Sequence, residues 1–367
     1  METFSDLPRA ERIELAPGYN VSRVINGCWQ LSDGHALDAP IDFDDVMHAF
    51  FELIEHGFTT FDCGDIYTGV EEFLGTLVTR LKRGEGPVCA DDIQIHTKYV
   101  PDLDILANVT FKHTESIIDR SLRRLNRDTL DLVQFHWWDY SVPGYIEVAH
   151  DLLKLKEKGK IRNIGVTNFD APHLKEIVDA GVPIVSCQSQ YSLFDRRPEL
   201  ALSSYCESAG IKHVCYGTLA GGLLAKRWEG VGTITPETRS QVKYLQVLED
   251  SVGYEGYQKL LELLEEIAAH YGVGVSHIAT KYILGRPSVA CTIVGVRNSR
   301  HVADNCKIFG FELSPEDDAA ITAFLDGHPR LQGDCYTLER ESPRYKGIIH
   351  MNVNEEEQGG NGALAGE

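Results

Sequence analysis

The chain has 367 residues, of which 43% are hydrophobic and 25% charged, proportions that exclude collagen-like, coiled-coil and wholly disordered proteins. A formal net charge of −20, with no compensating basic run, argues against a nucleic-acid partner. No apolar leader and no apolar stretch of membrane-spanning length occur, so we expect a cytoplasmic protein with no membrane partner. The nine cysteines form no CxxC pair, which suits a reducing compartment and predicts no zinc site.

Short apolar, β-branched segments alternate along the chain with longer stretches of helical periodicity. This alternation predicts an α/β fold with a parallel sheet and crossover helices. Eight such strands in one series favour a closed (β/α)8 TIM barrel over an open doubly wound sheet, which would carry a glycine fingerprint after its first strand. The predicted strands are Val24–Gly27, Thr59–Asp62, Ile93–Thr97, Leu130–Phe135, Asn163–Val166, Ile184–Cys187, Lys212–Cys215 and Cys291–Val294.

The segments between the strands carry helix start and stop signals. Asp42 precedes an apolar stripe that ends at Gly57, and Ser314 with Pro315 begins a last helix. The segment from Gly217 to Gly256, rich in Gly, Thr and charge, predicts an extended loop and a candidate lid. We therefore expect a single barrel domain over residues 1–350, including a C-terminal extension, and a disordered tail over residues 351–367.

Several predicted strands end in polar residues, at the rim where barrel enzymes place their chemistry. Strand two ends in Asp62, strand three is followed by Lys98 and strand four by His136. Each has an ordinary structural explanation alone: a loop cap, a lysine that reaches solvent, or a hydrogen-bonded core imidazole. Because burying such groups unpaired costs several kcal/mol, roughly, their recurrence predicts one converging site.

The residue types at this rim favour general acid catalysis. Tyr67 follows Asp62 by five residues and can fold back toward both Asp62 and Lys98. A neighbouring ammonium lowers the pKa of a phenol, so Tyr67 could donate a proton, with His136 orienting a carbonyl or sharing that proton. The scattered carboxylates and histidines lack metal-ligand spacing, so no metal is predicted. A Schiff-base mechanism at Lys98 is disfavoured because Asp62 would keep the amine protonated.

Three motifs resemble those of the aldo-keto reductase superfamily, with similarity from about Ile13 to His328. They are Thr-Phe-Asp-Cys-Gly-Asp-Ile-Tyr at residues 60–67, Ile-His-Thr-Lys at 95–98 and Asp-Leu-Val-Gln-Phe-His at 131–136. The resemblance implies an NADP(H)-dependent oxidoreductase in which hydride passes from the nicotinamide to an aldehyde or ketone. It also implies a catalytic tetrad of Asp62, Tyr67, Lys98 and His136.

Further segments are similar to the cofactor-binding parts of the same family, notably Gly-Val-Thr-Asn-Phe at 165–169 and Thr-Ile-Val-Gly-Val-Arg-Asn-Ser-Arg at 292–300. The resemblance implies a nicotinamide carboxamide held by the amide side chains, an aromatic ring stacked on it, and adenosine phosphate near the arginines. The implied cofactor residues are Gly27, Cys28, Trp29, Asp62, Thr167, Asn168, Gln188, Tyr216, Gly295, Arg297, Ser299, Arg300, Asp304 and Asn305. The implied substrate pocket comprises Trp29, Tyr67, His136 and Trp137.

The sequence departs from the family pattern at two places, and it leaves one alternative function open. His301 stands where the family commonly has Arg or Lys, which leaves the preference for NADP over NAD open. Thr68 and Gly69 follow Tyr67 where many members have Gly and a small residue. The alternative is a cofactor-binding regulatory protein on the same scaffold, similar to potassium-channel β-subunits, with little turnover. The carbonyl substrate and the oligomeric state cannot be derived from the sequence.

Overall fold

Ten strands occur in the computed structural model, which describes residues 7–33, 35, 40–349, 351 and 353. Eight of them, β3 to β10, form a closed parallel barrel in the order β10-β3-β4-β5-β6-β7-β8-β9. The predicted barrel is therefore confirmed, with strand ends that differ from the predicted ones by a few residues. The strands are β1 (Arg12–Ala16), β2 (Tyr19–Ser22), β3 (Val24–Gly27), β4 (Thr60–Asp62), β5 (Gln94–Tyr99), β6 (Leu130–Phe135), β7 (Ile161–Thr167), β8 (Ile184–Gln190), β9 (Lys212–Tyr216) and β10 (Val289–Gly295).

Helices pack around the outside of the barrel and bury the apolar stripes seen in the sequence. Asp42 caps the first helix by accepting hydrogen bonds from the backbone N–H groups of Asp44 and Asp45, and Gly57 follows that helix with a left-handed φ of 88°. The helices are α1 (Phe43–Glu55), α2 (Val70–Lys82), α3 (Phe111–Arg124), α4 (Tyr145–Glu157), α5 (Ala171–Asp179), α6 (Leu202–Ala209), α7 (Arg239–Asp250), α8 (Gly253–Tyr271), α9 (Val275–Leu284), α10 (Val302–Cys306), α11 (Pro315–Asp326), α12 (Thr337–Glu341) and α13 (Pro343–Lys346).

The antiparallel hairpin of β1 and β2 is absent from the sequence prediction. One residue, Arg23, separates the hairpin from the start of β3, so the hairpin lies at the amino-terminal end of the barrel. The buried Leu15 and Val21 of this hairpin pack against the barrel interior, and the Tyr19 hydroxyl lies 3.1 Å from His96 Nε2. The hairpin thus closes the end opposite the one where the polar strand ends converge.

The prediction of an extended loop from Gly217 to Gly256 is wrong for the second half of that segment. It contains α7 and the start of α8, because Tyr244, Val247 and Leu248 form a buried stripe on α7 whose first turn Thr238 caps. Most of the glycine and threonine that suggested a loop lies before Thr238, and the remaining glycines, Gly253 and Gly256, lie at the start of α8. Likewise, the helix begun by Ser314 is α11, but α12 and α13 follow it.

The C-terminal residues return across the barrel. Met351 accepts a backbone hydrogen bond from Leu103 at 2.9 Å, and the Val353 N–H donates to the Asp102 carboxylate at 3.0 Å. The rest of the predicted tail, residue 352 and residues 354–367, lies outside the described residues. Within the described part of the chain, no helix has the length and apolarity to cross a membrane.

Candidate active site

Asp62 and Lys98 form an ion pair at the carboxyl end of β4 and β5. Lys98 Nζ donates to Asp62 Oδ1 at 2.6 Å and to the Cys63 carbonyl at 2.7 Å, and both side chains are buried. Burial alone lowers the pKa of Lys98, but the charge and hydrogen bond of Asp62 raise it above its ordinary value. The ammonium is therefore held in its charged form within the barrel mouth.

The second carboxylate oxygen of Asp62 is held by two glutamine side chains. Gln134 Nε2 donates to Asp62 Oδ2 at 2.8 Å and Gln188 Nε2 donates to it at 2.7 Å, while Gln188 also donates to Gln134. These bonds fix Asp62 toward Lys98 and satisfy the charge of the buried carboxylate. The sequence prediction missed Gln134, although an amide inside the otherwise apolar strand Leu-Asp-Leu-Val-Gln-Phe is the signal that could have found it.

Tyr67 lies above this ion pair. Its ring centre is 4.8 Å from Lys98 Nζ and 4.8 Å from the ring centre of Trp29, which is 36% exposed and the outermost of the three. Burial raises the pKa of Tyr67 to about 12, which outweighs the lowering by Lys98. Lys98 lowers this pKa, as expected, but desolvation of the partly buried ring has the larger effect, so the net pKa lies above its ordinary value.

His136 occupies the end of β6, and its protonation is defined by its contacts. Nδ1 lies 2.9 Å from the Thr167 carbonyl, which can only accept, so Nδ1 carries a proton. Burial and the charge of Arg340 lower the pKa of His136 to about 3, so the ring is neutral near pH 7 and Nε2 is an acceptor. Among the described residues, no hydrogen-bond partner faces this buried Nε2 atom.

The aromatic neighbour of His136 is Trp138. Its ring centre is 4.4 Å from that of His136 in an edge-on contact. Trp137 is fully buried, packs against Tyr145, and donates its indole N–H to the Val142 carbonyl at 3.0 Å. Of the two indoles, Trp138 is the one whose ring lies against His136, and Trp137 stays a predicted pocket residue.

The C-terminal segment, predicted with the Gly217–Gly256 segment to close the site, covers the same side of the barrel mouth. Tyr336 contacts His136 edge-on at 5.6 Å between ring centres. Arg340 donates to the carbonyls of Trp137 at 3.0 Å and Asn168 at 2.7 Å. Glu339 is fully buried and bonded to Arg197. These contacts place α12 against the side chains that border His136.

The residues expected to hold a nicotinamide lie on consecutive strands. Thr167 ends β7, Asn168 follows it with a left-handed φ of 60°, and Tyr216 ends β9. The Tyr216 hydroxyl donates to Asn168 Oδ1 at 2.8 Å, which fixes the amide of Asn168. Gln188, by contrast, uses its amide nitrogen on Asp62 and Gln134, so this group is engaged within the site.

The residues expected near the adenosine end lie beyond β10. Arg297, Asn298 and Arg300 line a cavity of about 230 Å³ together with Asp42 and Asp45 of the α1 region. The Ser299 side chain, expected to face phosphate, donates to Asp45 instead, at 2.5 Å. Asp304 and Asn305 lie on α10, and Gly27, the buried Cys28 and Gly295 lie at the ends of the adjacent strands β3 and β10.

Comparison with known proteins identifies the family of this barrel. The Aldo/keto reductase family profile matches residues 23–326, which covers the whole barrel. The chain belongs to the aldo/keto reductase family. It is therefore an oxidoreductase of carbonyl compounds, in a family that uses nicotinamide cofactors.

Three proteins illustrate the degree of sequence identity between this aldo-keto reductase and its relatives. The aldo-keto reductase YhdN of Bacillus subtilis is 27% identical over 84% of this chain and 91% of its own length. An NADH-specific methylglyoxal reductase of Escherichia coli is 26% identical over 81% of this chain and 92% of its own length. The solved glycerol dehydrogenase of Gluconobacter oxydans is 27% identical, covers 90% of this chain and 98% of its own, and superposes with a TM-score of 0.69.

Proposed function

We propose that this aldo-keto reductase reduces an aldehyde or ketone with NADPH, with Tyr67 as the proton donor. The observation that carries the proposal is the buried Asp62–Lys98 ion pair directly beneath the Tyr67 ring at the carboxyl rim of the barrel. A bound nicotinamide dinucleotide would supply the hydride. The remaining chemistry is the delivery of one proton to the carbonyl oxygen, which the chain itself can perform.

Tyr67 loses a proton in this step, so its phenolate must be stabilised while it exists. Lys98 is the cation placed for this purpose, 4.8 Å from the Tyr67 ring centre, and it lowers the pKa of the phenol against the larger effect of burial. Asp62 keeps Lys98 charged and positioned. Raising a phenol pKa to about 12 disfavours free phenolate at neutral pH, so Tyr67 is poised as an acid before a carbonyl arrives.

His136 acts as a hydrogen-bond acceptor in the proposed site. Its Nδ1 proton is committed to the Thr167 carbonyl, and its low pKa, about 3, disfavours the doubly protonated form. Nε2 therefore orients a hydroxyl group, either on the substrate or on the newly formed alcohol, while Tyr67 alone donates to the carbonyl oxygen. This assignment refines the expectation that His136 binds the carbonyl directly.

The polar groups at the rim fit a dinucleotide. Asn168 and Tyr216 would hold the nicotinamide end, where the hydrogen bond between them presents an amide at the end of β7. Arg297 and Arg300 would hold the adenosine phosphate, because two guanidinium groups lining one cavity suit a phosphate ester. In a chain of net charge −20, Arg297, Arg300 and His301 form a local positive cluster, which supports NADPH over NADH.

A steady-state assay with NADPH and a panel of aldehydes and ketones tests the proposal. We expect carbonyl-dependent NADPH oxidation at about 1–10 turnovers per second for at least one substrate, with formation of the matching alcohol. Thermal stabilisation by NADP⁺ measures binding independently of turnover. Cofactor binding without carbonyl-dependent oxidation across the panel would instead favour the cofactor-binding regulatory protein.

A further inference from the structure

Asp45, on the first turn of α1, bonds the loop that follows β10. Its carboxylate accepts hydrogen bonds from Ser299 Oγ at 2.5 Å and from the Ser299 backbone N–H at 3.1 Å. These two bonds lower the pKa of Asp45, so the group is anionic at neutral pH. An acid in the first turn of a helix also interacts favourably with the helix dipole, but that interaction does not require a contact with Ser299.

This contact borders the cavity of about 230 Å³ that also contains Arg297 and Arg300. The cavity therefore holds two cations and two carboxylates, those of Asp42 and Asp45. Asp42 caps α1 by accepting from two backbone N–H groups, so its position is part of the helix. Asp45 instead joins α1 to a separate segment of the chain, and its charge lines the same cavity as the two arginines.

A phosphate monoester and a hydroxyl group meet Asp45 differently. A phosphate near Arg297 and Arg300 is repelled by the Asp45 carboxylate and finds the two Ser299 donors already occupied. A ribose hydroxyl can donate to the same carboxylate, which is how acidic residues distinguish NAD from NADP in other dinucleotide-binding folds. The same residue thus disfavours one ligand and favours the other.

We propose that Asp45 sets the choice between NADP(H) and NAD(H) by competing with the 2′-phosphate for Ser299 and by accepting a hydrogen bond from the 2′-hydroxyl. The inference rests on the proposed function, in which this cavity receives the adenosine end of the cofactor. Arg297 and Arg300 favour the phosphate, and Asp45 offsets them. The wild-type chain accordingly binds both cofactors, and its ratio of NADP(H) to NAD(H) affinity is smaller than the two arginines alone would produce.

Binding measurements on Asp45→Asn test this inference without using turnover. Dissociation constants of NADP⁺, NAD⁺, 2′,5′-ADP and 5′-AMP are measured by calorimetry for the wild type and the variant. Because one charge-assisted hydrogen bond changes affinity by about one to two decades, we expect NADP⁺ and 2′,5′-ADP to bind about tenfold more tightly to the variant. NAD⁺ and 5′-AMP are expected to bind equally well or more weakly.

The matched control is Asp44→Asn, which removes the same charge from the adjacent, exposed position of α1. We expect it to leave the ratio of NADP⁺ to NAD⁺ affinity unchanged within about twofold. In the Asp45→Asn background, Ser299→Ala is expected to abolish much of the gain, since it removes the hydroxyl that a neutral amide holds less strongly than the Asp45 carboxylate does.

The outcomes separate the inference from the proposed function. An unchanged affinity ratio in Asp45→Asn overturns the role of Asp45, as does an equal change in Asp44→Asn. Failure of the wild type to bind either dinucleotide overturns the proposed cofactor itself. Circular dichroism and melting temperature verify that the variants fold, and Asp45→Ser provides a second uncharged variant, for which the same rise in NADP⁺ affinity is expected.

Discussion

Lys98 Nζ lies 2.6 Å from Asp62 Oδ1, and the two side chains are only 5% and 6% exposed. A buried ion pair is costly unless the remaining polar atoms are satisfied, and here Gln134, Gln188 and the Cys63 carbonyl satisfy them. Such a pair is weak evidence for stability. Its position under Tyr67 supports a functional role, because it keeps a cation fixed beside the group proposed to lose a proton.

Tyr67→Phe is predicted to lower carbonyl turnover by two to three decades, because positioned proton transfer contributes roughly 10²–10⁴-fold. The dissociation constant of NADP⁺ is expected to stay within about twofold of wild type, since the phenol hydroxyl is not among the proposed cofactor contacts. Steady-state kinetics and calorimetry measure the two quantities. Tyr205→Phe, on α6, is the control and should retain wild-type turnover. More than a tenth of wild-type turnover in Tyr67→Phe would contradict the acid role.

Lys98→Met is predicted to abolish measurable reduction, and Asp62→Asn to reduce it by a smaller factor, because Asp62 acts on Tyr67 only through Lys98. The double variant should then be no worse than Lys98→Met alone. The measurement is kcat/KM for all four forms with one aldehyde. Multiplicative losses at the two positions would mean that Asp62 has a separate role in the reaction.

The barrel could be predicted because its strands are short apolar segments with regular spacing. The elements that the sequence did not predict are those whose apolar pattern is short or is interrupted by glycines. The segment before Thr238 contains several glycines, and their presence outweighed the buried stripe of α7. The β1–β2 hairpin is short, and its Gly18 turn, with a φ of 71°, lies before the first predicted strand.

The convergence of polar side chains at the barrel rim could be predicted because Asp62, Lys98 and His136 each lie at the end of an apolar strand. Their supporting contacts could not, since these depend on neighbours distant in sequence. Ser299 is 254 residues from Asp45, and Arg340 is 172 residues from Asn168. The net pKa of Tyr67 was also out of reach, because it depends on how deeply the ring is buried. Spacing alone carries no information on burial depth.

The stability of the protein is predicted to fall between pH 6.5 and pH 5. Burial lowers the pKa of His96 and of His213 to about 4. Burial is also the main cause that lowers the pKa of His136 to about 3. In the unfolded chain these groups have a pKa near ~6.5, so below that pH the unfolded state binds more protons. The stability that the neutral rings contribute is complete above pH 6.5 and is lost as the pH falls toward 4.

Urea unfolding at several pH values measures this loss, which should approach roughly 1.4 kcal/mol per pH unit for each buried histidine below pH 6. His213→Gln is the comparison variant, because among the described residues the ring of His213 forms a hydrogen bond with Ser189 Oγ alone, at 2.6 Å. The pH dependence of this variant should be shallower by about one proton. A free energy of unfolding that stays constant from pH 6.5 to pH 5 would contradict the prediction.

Glu339→Gln is predicted to destabilise the protein and loosen the cover over His136. Glu339 is fully buried and pairs with Arg197 at 2.9 Å and with Lys243 at 3.0 Å, while Arg197 also pairs with the buried Asp195. Burial opposes ionisation of Glu339, but the charges of Lys243 and Arg197 hold its pKa well below the usual range. Removing this charge leaves Asp195 as the carboxylate that balances both Arg197 and Lys243 among the described residues, and breaking a buried ion pair in this way costs about 3–5 kcal/mol.

The effect should extend to the barrel mouth, because Glu339 lies on α12 between Tyr336, which contacts His136, and Arg340, which bonds the Trp137 carbonyl. We expect a melting temperature lower by several degrees, together with increased acrylamide quenching of tryptophan fluorescence as Trp138 becomes accessible. Glu341→Gln, an exposed position on the same helix, is the matched control and should leave both quantities unchanged. If Glu339→Gln has the melting temperature of the control and the acrylamide quenching of the wild type, the ion pairs of Glu339 do not anchor α12. A lower melting temperature with unchanged quenching would instead limit their role to global stability.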